Sequence, residues 1–170
     1  MIRGDSTEYE LLAKWCETSP WRNKEFATSL EIGVREGMGS KVIIETFKPH
    51  MHFGVDPYGN LEYQHYDHTG AYRCDYTDEM YKQMMLDFMD YKNFHIYKMT
   101  DIDFMNRHHY LGPFHFVHFD GPHMTKDVIR EAVYFADRSE IGTRFVFDDY
   151  PKYNMSHIMD MLGYWNFRVL

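Results

Sequence analysis

Two short motifs carry the side chains best suited to chemistry, and each follows an apolar run. HFDGPHM contains Asp120 and His123, and FVFDDY contains the adjacent pair Asp148 and Asp149. Carboxylate oxygens are the ligands that Mg²⁺ and Ca²⁺ prefer, and histidine titrates near neutral pH. The motifs therefore predict a divalent cation bound by Asp120, Asp148 and Asp149. His123 is the predicted general base, acting with Asp120 as the catalytic pair.

A glycine-rich turn is the next candidate site. The segment SLEIGVREGMGS places Glu31, Gly33, Gly37 and Ser40 between an apolar run and a helical pattern. Glycine allows a ligand to approach the backbone closely. The spacing does not match the G-x-G-x-x-G fingerprint of dinucleotide sites, and the Gly-Lys-Ser/Thr of phosphate loops is absent. The segment predicts a ligand-binding turn, with a purely structural glycine turn as the alternative.

Asp56 ends the following apolar run and precedes the turn residues PYGN. An acid at the end of such a strand can accept hydrogen bonds from the hydroxyls of a ribose. We therefore predict that Asp56 binds a ribose. A turn or helix cap before Pro57 is the alternative.

Alternating strand and helix patterns position these residues. Apolar runs predict strands at 29–34, 52–56, 94–99, 114–120 and 143–149, and FRVL at 167–170 could begin a sixth. Helices are predicted from Thr7, over 40–47, from Thr77, over 128–136 and from Asn154, with a loop at 60–76. This alternation predicts an α/β fold, with a mostly parallel sheet and helices on both faces. His115 and His118 alternate with phenylalanine along a strand and are predicted to be packed in the core.

Together these motifs resemble those of class I S-adenosylmethionine-dependent methyltransferases, in particular the small macrocin O-methyltransferase type. The resemblance rests on E-x-G-x-x-x-G from Glu31, D-G-x-H from Asp120 and D-D-Y from Asp148, and it covers residues 28–150. It implies a Rossmann-like class I methyltransferase fold without the last strand of the complete fold. One domain would span residues 1–170, with an N-terminal helix and lead-in at 1–27 and the α/β core at 28–170.

The resemblance also implies the cofactor and how it is held. S-adenosylmethionine would lie with its methionine part beside the glycine turn, and Glu31 would help to orient its amino group. Asp56 would bind the ribose. Asp101 stands where such enzymes contact adenine, although it could instead be the N-cap of the following helix.

These features predict metal-assisted O-methylation of a small hydroxylated molecule, a sugar or a phenol, with Mg²⁺ or another divalent cation. One alternative is a metal-independent methyltransferase in which His123 acts alone as the base. Another is a non-catalytic module that keeps the fold for binding or assembly. The N/D-P-P-Y motif of base-modifying enzymes is replaced by DGPH, which disfavours methylation of DNA bases.

Charge and composition limit the expected partners and location. The net charge is −8 without a dense Lys/Arg run, which disfavours a nucleic-acid partner. No run approaches the roughly 20 apolar residues of a membrane span, and the first ten residues have no apolar signal core. Cys16 and Cys74 fit no metal or redox spacing and are predicted to be free thiols. We expect a cytoplasmic protein with a small-molecule substrate, and an unpaired sheet edge would favour a homo-oligomer.

Overall fold

Five parallel strands form the central sheet. The computed structural model describes residues 6–59, 61–64, 71–73, 76–121, 123–150 and 154–170. The strands are β1 (Thr28–Ile32), β2 (Met51–Val55), β3 (Glu62–Gln64), β4 (Ala71–Arg73), β5 (Phe94–Tyr97), β6 (Phe114–Phe119) and β7 (Ser139–Phe147). The sheet has the order β5-β2-β1-β6-β7, and every neighbouring pair is parallel. The predicted parallel sheet is confirmed.

The direction of strand addition reverses between β1 and β6. The chain places β2 and β5 on one side of β1, and β6 and β7 on the other. In open α/β sheets, ligands bind beyond the carboxyl ends of the strands at such a reversal. Gly33 follows β1 and Asp120 follows β6. Two of the predicted site segments therefore lie next to each other at the expected ligand position.

Helices cover both faces of the sheet, as predicted. They are α1 (Ser6–Glu17), α2 (Met38–Val42) with a π-helical turn (Ile43–Phe47), α3 (Asp78–Asp87), α4 (Asp101–Arg107), α5 (Thr125–Ala136) and α6 (Met155–Leu162). On one face, Phe104, Phe135 and Ile158 of α4, α5 and α6 pack in one core cluster with strand residues. On the other, Leu12 of α1 and Phe47 pack with Phe116 of β6.

Several local predictions are confirmed. Thr77 and Asn154 accept backbone N–H groups from the first turns of α3 and α6, so they are the predicted N-caps. The N-cap of α4 is Thr100, and Asp101 is the first residue of the helix. The alternative prediction that Asp101 is the N-cap is therefore wrong. Cys16 is buried and free, whereas Cys74 lies outside the described residues.

Two further local predictions are wrong within the part of the chain that the structure describes. β3 and β4 form an antiparallel pair inside the segment predicted to be a loop. Its Tyr/His-rich sequence has no apolar alternation that would indicate strands. Residues 167–170 form no strand; the Phe167 ring stacks on Phe145 with 4.5 Å between ring centroids. No helix among the described residues is both long enough and apolar enough to cross a membrane.

Candidate functional site

The turn after β1 needs glycine for two separate reasons. Gly33 and Gly37 both have φ of +85°, a left-handed conformation that glycine adopts without strain. A Cβ on Gly33 would lie 1.9 Å from the carbonyl oxygen of Asp120, and one on Gly37 would lie 2.5 Å from the Phe88 ring. The first contact shows that the turn lies directly against the chain leaving β6.

The Asp56 carboxylate holds this turn in place. Oδ2 accepts the N–H groups of Val34 and Arg35, each at 3.0 Å, and Oδ1 accepts the N–H of Tyr58 at 3.0 Å. Burial raises the pKa of Asp56, and these three backbone hydrogen bonds oppose that rise. The sequence suggested only a ribose ligand or a cap for Asp56. Its bonds to the glycine turn join residues far apart in sequence, and no sequence signal indicated them.

Glu31 belongs to a buried polar network between the sheet and α2. Its Oε1 lies 2.9 Å from His118 Nδ1, and its Oε2 accepts the hydroxyl of Ser40. His52 continues the network, with Nε2 at 3.0 Å from Ser40 Oγ and Nδ1 at 2.8 Å from Ser29 Oγ. The hydrogen bond between Glu31 of β1 and Ser40 of α2 therefore holds the start of α2 against the sheet. His118 and His115 are both buried, as predicted from their alternation with phenylalanine along β6.

Asp101 is paired with Arg130 of α5. Its Oδ2 accepts Arg130 Nη2 at 2.7 Å. Glu131 of the same helix is buried nearby, and burial together with the charge of Asp101 raises its pKa well above its ordinary value. Sequence reasoning missed both α5 residues, because their spacing only indicated an ordinary helical face.

The two acidic motifs converge at the carboxyl ends of β6 and β7. Asp120, His123 and Asp148 each offer a ligand atom, and these atoms lie within 4.8 Å of one another. Glu31, His118 and Asp120 form a second such group. Burial and the nearby Asp148 raise the pKa of Asp120 well above its ordinary value. A cation would relieve this repulsion and allow both carboxylates to stay ionised.

Asp149 takes a different position from that expected of a third ligand. Its Oδ2 lies 3.3 Å from His123 Nδ1, and it is absent from both groups of potential ligands among the described residues. A carboxylate in this position orients an imidazole ring and stabilises its charged form. The structure thus brings together all four residues of the motifs, with Asp149 beside the histidine.

Two cavities meet at this acidic cluster. The first has a volume of about 350 Å³, and its lining includes Gly33, Asp56, Asp101, Asp120, His123 and Asp149. The second, of about 300 Å³, lies between α1 and β7 and also borders Asp120 and Asp149. Glu31 borders a smaller space of about 150 Å³ together with Gly33 and Asp120. Gly37 and Ser40 line none of these three cavities; they shape the turn instead.

Comparisons with known proteins find the fold but no relative by sequence. No protein-family model and no curated protein matches the chain. An rRNA methylase from Streptococcus thermophilus is 13% identical, with a TM-score of 0.55 over 96% of this chain and 81% of its own. A Streptococcus mutans protein described as a methyltransferase, solved with SAH, is 11% identical, with a TM-score of 0.58 over 98% and 82%. The chain therefore shares a Rossmann-like fold with these two solved structures.

Proposed function

We propose that this protein is an S-adenosylmethionine-dependent methyltransferase that methylates a hydroxyl group of a small molecule with the help of a divalent cation. One observation carries the proposal. A single cavity at the strand-order reversal runs from the glycine turn and Asp56 to Asp120 and His123. A nucleoside ligand and a reacting hydroxyl would therefore meet at the same acidic cluster. The S. mutans neighbour, solved with SAH, supports the choice of cofactor.

The residues of the first cavity fit the cofactor. The volume of about 350 Å³ lies in the range of small-molecule sites. When bound, S-adenosylmethionine supplies a methyl group activated by the sulfonium. Asp56 retains acceptor capacity on Oδ1 for a ribose hydroxyl, because that oxygen accepts one backbone N–H. The Asp101 carboxylate, fixed by Arg130, is available to a donor group of the adenine.

The donor set also fits a divalent cation. Asp120 and Asp148 are the carboxylates that would hold it, and Asp149 and His123 border the same place. Bound Mg²⁺ lowers the pKa of a hydroxyl that it ligates. These carboxylates suit an ion that prefers oxygen ligands and keeps coordination positions open for the acceptor hydroxyl. Mg²⁺ is thus the first ion to test, and Mn²⁺ follows because it suits the same carboxylate and water ligands.

His123 is placed to accept the proton that the acceptor hydroxyl loses. Asp149 orients its ring from 3.3 Å and stabilises the imidazolium that forms. Burial of the ring, at 3% exposure, keeps competing water away. In the metal-independent alternative, this histidine and Asp149 would perform the proton transfer by themselves.

An RNA acceptor is the other candidate that a structural neighbour suggests. The S. thermophilus neighbour is an rRNA methylase. A net charge of −8 and an acidic reaction centre oppose the binding of a phosphate backbone. A small uncharged acceptor fits these charges better.

Formation of SAH tests the proposal directly. The chain is incubated with S-adenosylmethionine and a mixture of small phenols and sugars, with Mg²⁺ or with a chelator, and SAH is measured by mass spectrometry. We expect Mg²⁺-dependent SAH formation, slowed roughly 10²–10⁴-fold by His123→Ala. His95→Ala, at an exposed position on β5, should leave the rate unchanged. Equal rates for the parent chain and His123→Ala would contradict the assigned base, and a rate unaffected by the chelator would favour the metal-independent alternative.

A further inference from the structure

The second cavity has a composition that distinguishes between classes of acceptor. It lies between α1 and the end of β7, and it meets the cofactor cavity at Asp120 and Asp149. A molecule bound there would contact Asp120, Asp148 and Asp149 of the acidic cluster. The chemical class of that molecule can be inferred from the positions of the polar and apolar side chains in the cavity wall.

One part of the wall is apolar. Leu11 and Leu12 of α1 line it, as does Val146 of β7. Leu11 is 50% exposed and Tyr150 is 61% exposed, although both are large hydrophobic residues. An apolar ligand in the cavity would cover part of both side chains.

Most of the polar side chains of the cavity lie at its acidic end, where His118 is grouped with Asp120. Asp120, Asp148 and Asp149 follow β6 and β7 at their carboxyl ends. Glu8 lies on α1 and is exposed. A ligand that fills the cavity would therefore meet hydrogen-bond acceptors at the acidic end and aliphatic or aromatic carbon along the rest.

Tyr9 of α1 adds a polar atom at the acidic end. It lines both this cavity and the space beside the glycine turn, and a tyrosine hydroxyl carries its proton at neutral pH. A protonated phenol can donate a hydrogen bond to an oxygen of the ligand. Its ring also offers an aromatic face to a flat ligand.

We propose that this cavity binds an aromatic acceptor, a phenol or catechol whose hydroxyl groups lie on the edge next to Asp120, rather than a sugar. A pyranose carries hydroxyl groups around its whole ring. Against Leu11, Leu12 and Val146 those hydroxyls would lose water without gaining partners, which is unfavourable. An aromatic ring places carbon against these walls and oxygen only at the acidic end. The inference deepens the proposed function and rests on it for the identity of the reaction.

Calorimetry with two simple probes tests the inference. The full chain is saturated with SAH and Mg²⁺ and then titrated with catechol, or with methyl α-glucopyranoside as the sugar probe. We expect binding of catechol and no measurable binding of the glucoside. Tyr150→Ser should weaken catechol binding by roughly 2–12-fold, the range that corresponds to one aromatic contact. Tyr164→Ser is the matched control, since Tyr164 is 82% exposed and does not line the cavity.

The outcomes separate this inference from the proposed function. Binding of the glucoside in preference to catechol, or equal catechol affinities for Tyr150→Ser and Tyr164→Ser, would overturn the aromatic assignment while leaving methyl transfer in place. If SAH does not bind, the proposed function fails, and catechol is titrated alone. Catechol binding that still depends on Tyr150 would then support the cavity assignment by itself, and its absence would overturn it.

Discussion

At the scale of single residues, the reversal between β1 and β6 is possible because Gly33 has no side chain. Its φ is +85°, and an added Cβ would lie 1.9 Å from the carbonyl oxygen of Asp120. We expect Gly33→Ala to lower the free energy of unfolding by more than the ~1–2 kcal/mol of a left-handed alanine. The turn and the Asp120 backbone would also have to move apart. Denaturant unfolding measures the loss.

Two other glycines separate the conformational cost from the steric one. Gly59 has φ of +92° and no atom near its added Cβ, so Gly59→Ala should incur only the conformational cost. Gly163, with φ of −55° and open space around it, should tolerate alanine with a gain of about 0.4–1 kcal/mol. If Gly33→Ala costs no more than Gly59→Ala, the close approach to Asp120 does not constrain the turn.

The residue scale also shows what the sequence could predict about the site. Asp120 and Asp148 were expected to meet because each follows an apolar run, and the parallel sheet places both at one edge. The position of Asp149 beside His123 depends on a positive φ of 52° at Asp149, which adjacent aspartates do not reveal. Arg130 was missed because its contact with Asp101 depends on how α5 packs against α4.

At the scale of elements, β1, β2, β6 and α2 are joined by buried polar side chains as well as by apolar packing. The chain of contacts runs from Ser29 through His52, Ser40 and Glu31 to His118. Alternation along parallel strands places these side chains on the face toward α2, opposite to Leu30 and Val117. The elements were predictable from their periodicity, whereas the polar network was not, since it requires the strand order.

This network should make the stability of the fold depend on pH. Burial lowers the pKa of His52 from 6.5 to about 3, so the folded protein keeps this ring neutral. The unfolded chain takes up a proton as the pH falls below 6.5, while the folded chain does so only near 3. This contribution to stability is therefore complete above pH 6.5 and is lost as the pH falls, by at most about 1.4 kcal/mol per pH unit.

Urea unfolding between about pH 4 and about pH 6.5 measures this slope. His52→Gln should make the unfolding free energy fall less steeply as the pH is lowered, because up to one fewer proton is taken up on unfolding. This holds whatever the effect of the substitution on stability at neutral pH. His95→Gln, on the exposed side of β5, provides the comparison. The same slope in His52→Gln and in the parent chain would show that His52 is not kept neutral by folding.

At the scale of the whole molecule, the outer edge of β7 offers a surface for association. Among the described strands, β7 has a neighbour on one side only. Ile141 of this strand is 99% exposed, and unpaired strand edges with apolar residues favour pairing between chains. We expect reversible self-association in sedimentation experiments at high concentration. Ile141→Lys should reduce it, while Leu86→Lys, at an exposed position on α3, should not. A parent chain that stays monomeric would contradict this proposal.

The whole molecule also explains why cofactor and acceptor would meet at one point. Gly33 of the glycine turn and Asp56 line one cavity that borders Asp120, and α1 lines the other. This division follows from the reversal of strand order, which places the carboxyl ends of β1 and β6 next to each other. Every part of the proposed chemistry therefore depends on a nucleoside cofactor in the first cavity.

Calorimetric titration of the full chain with SAH tests that dependence most directly. We predict binding with one SAH per chain, weakened in Asp56→Ala by about 1–3 kcal/mol through loss of charge-assisted hydrogen bonds and of the support for the glycine turn. Asp87→Ala, at an exposed position on α3, should bind SAH as the parent chain does. Absence of SAH binding by the folded parent chain, or an unchanged affinity in Asp56→Ala, would contradict the assignment of this cavity to the cofactor.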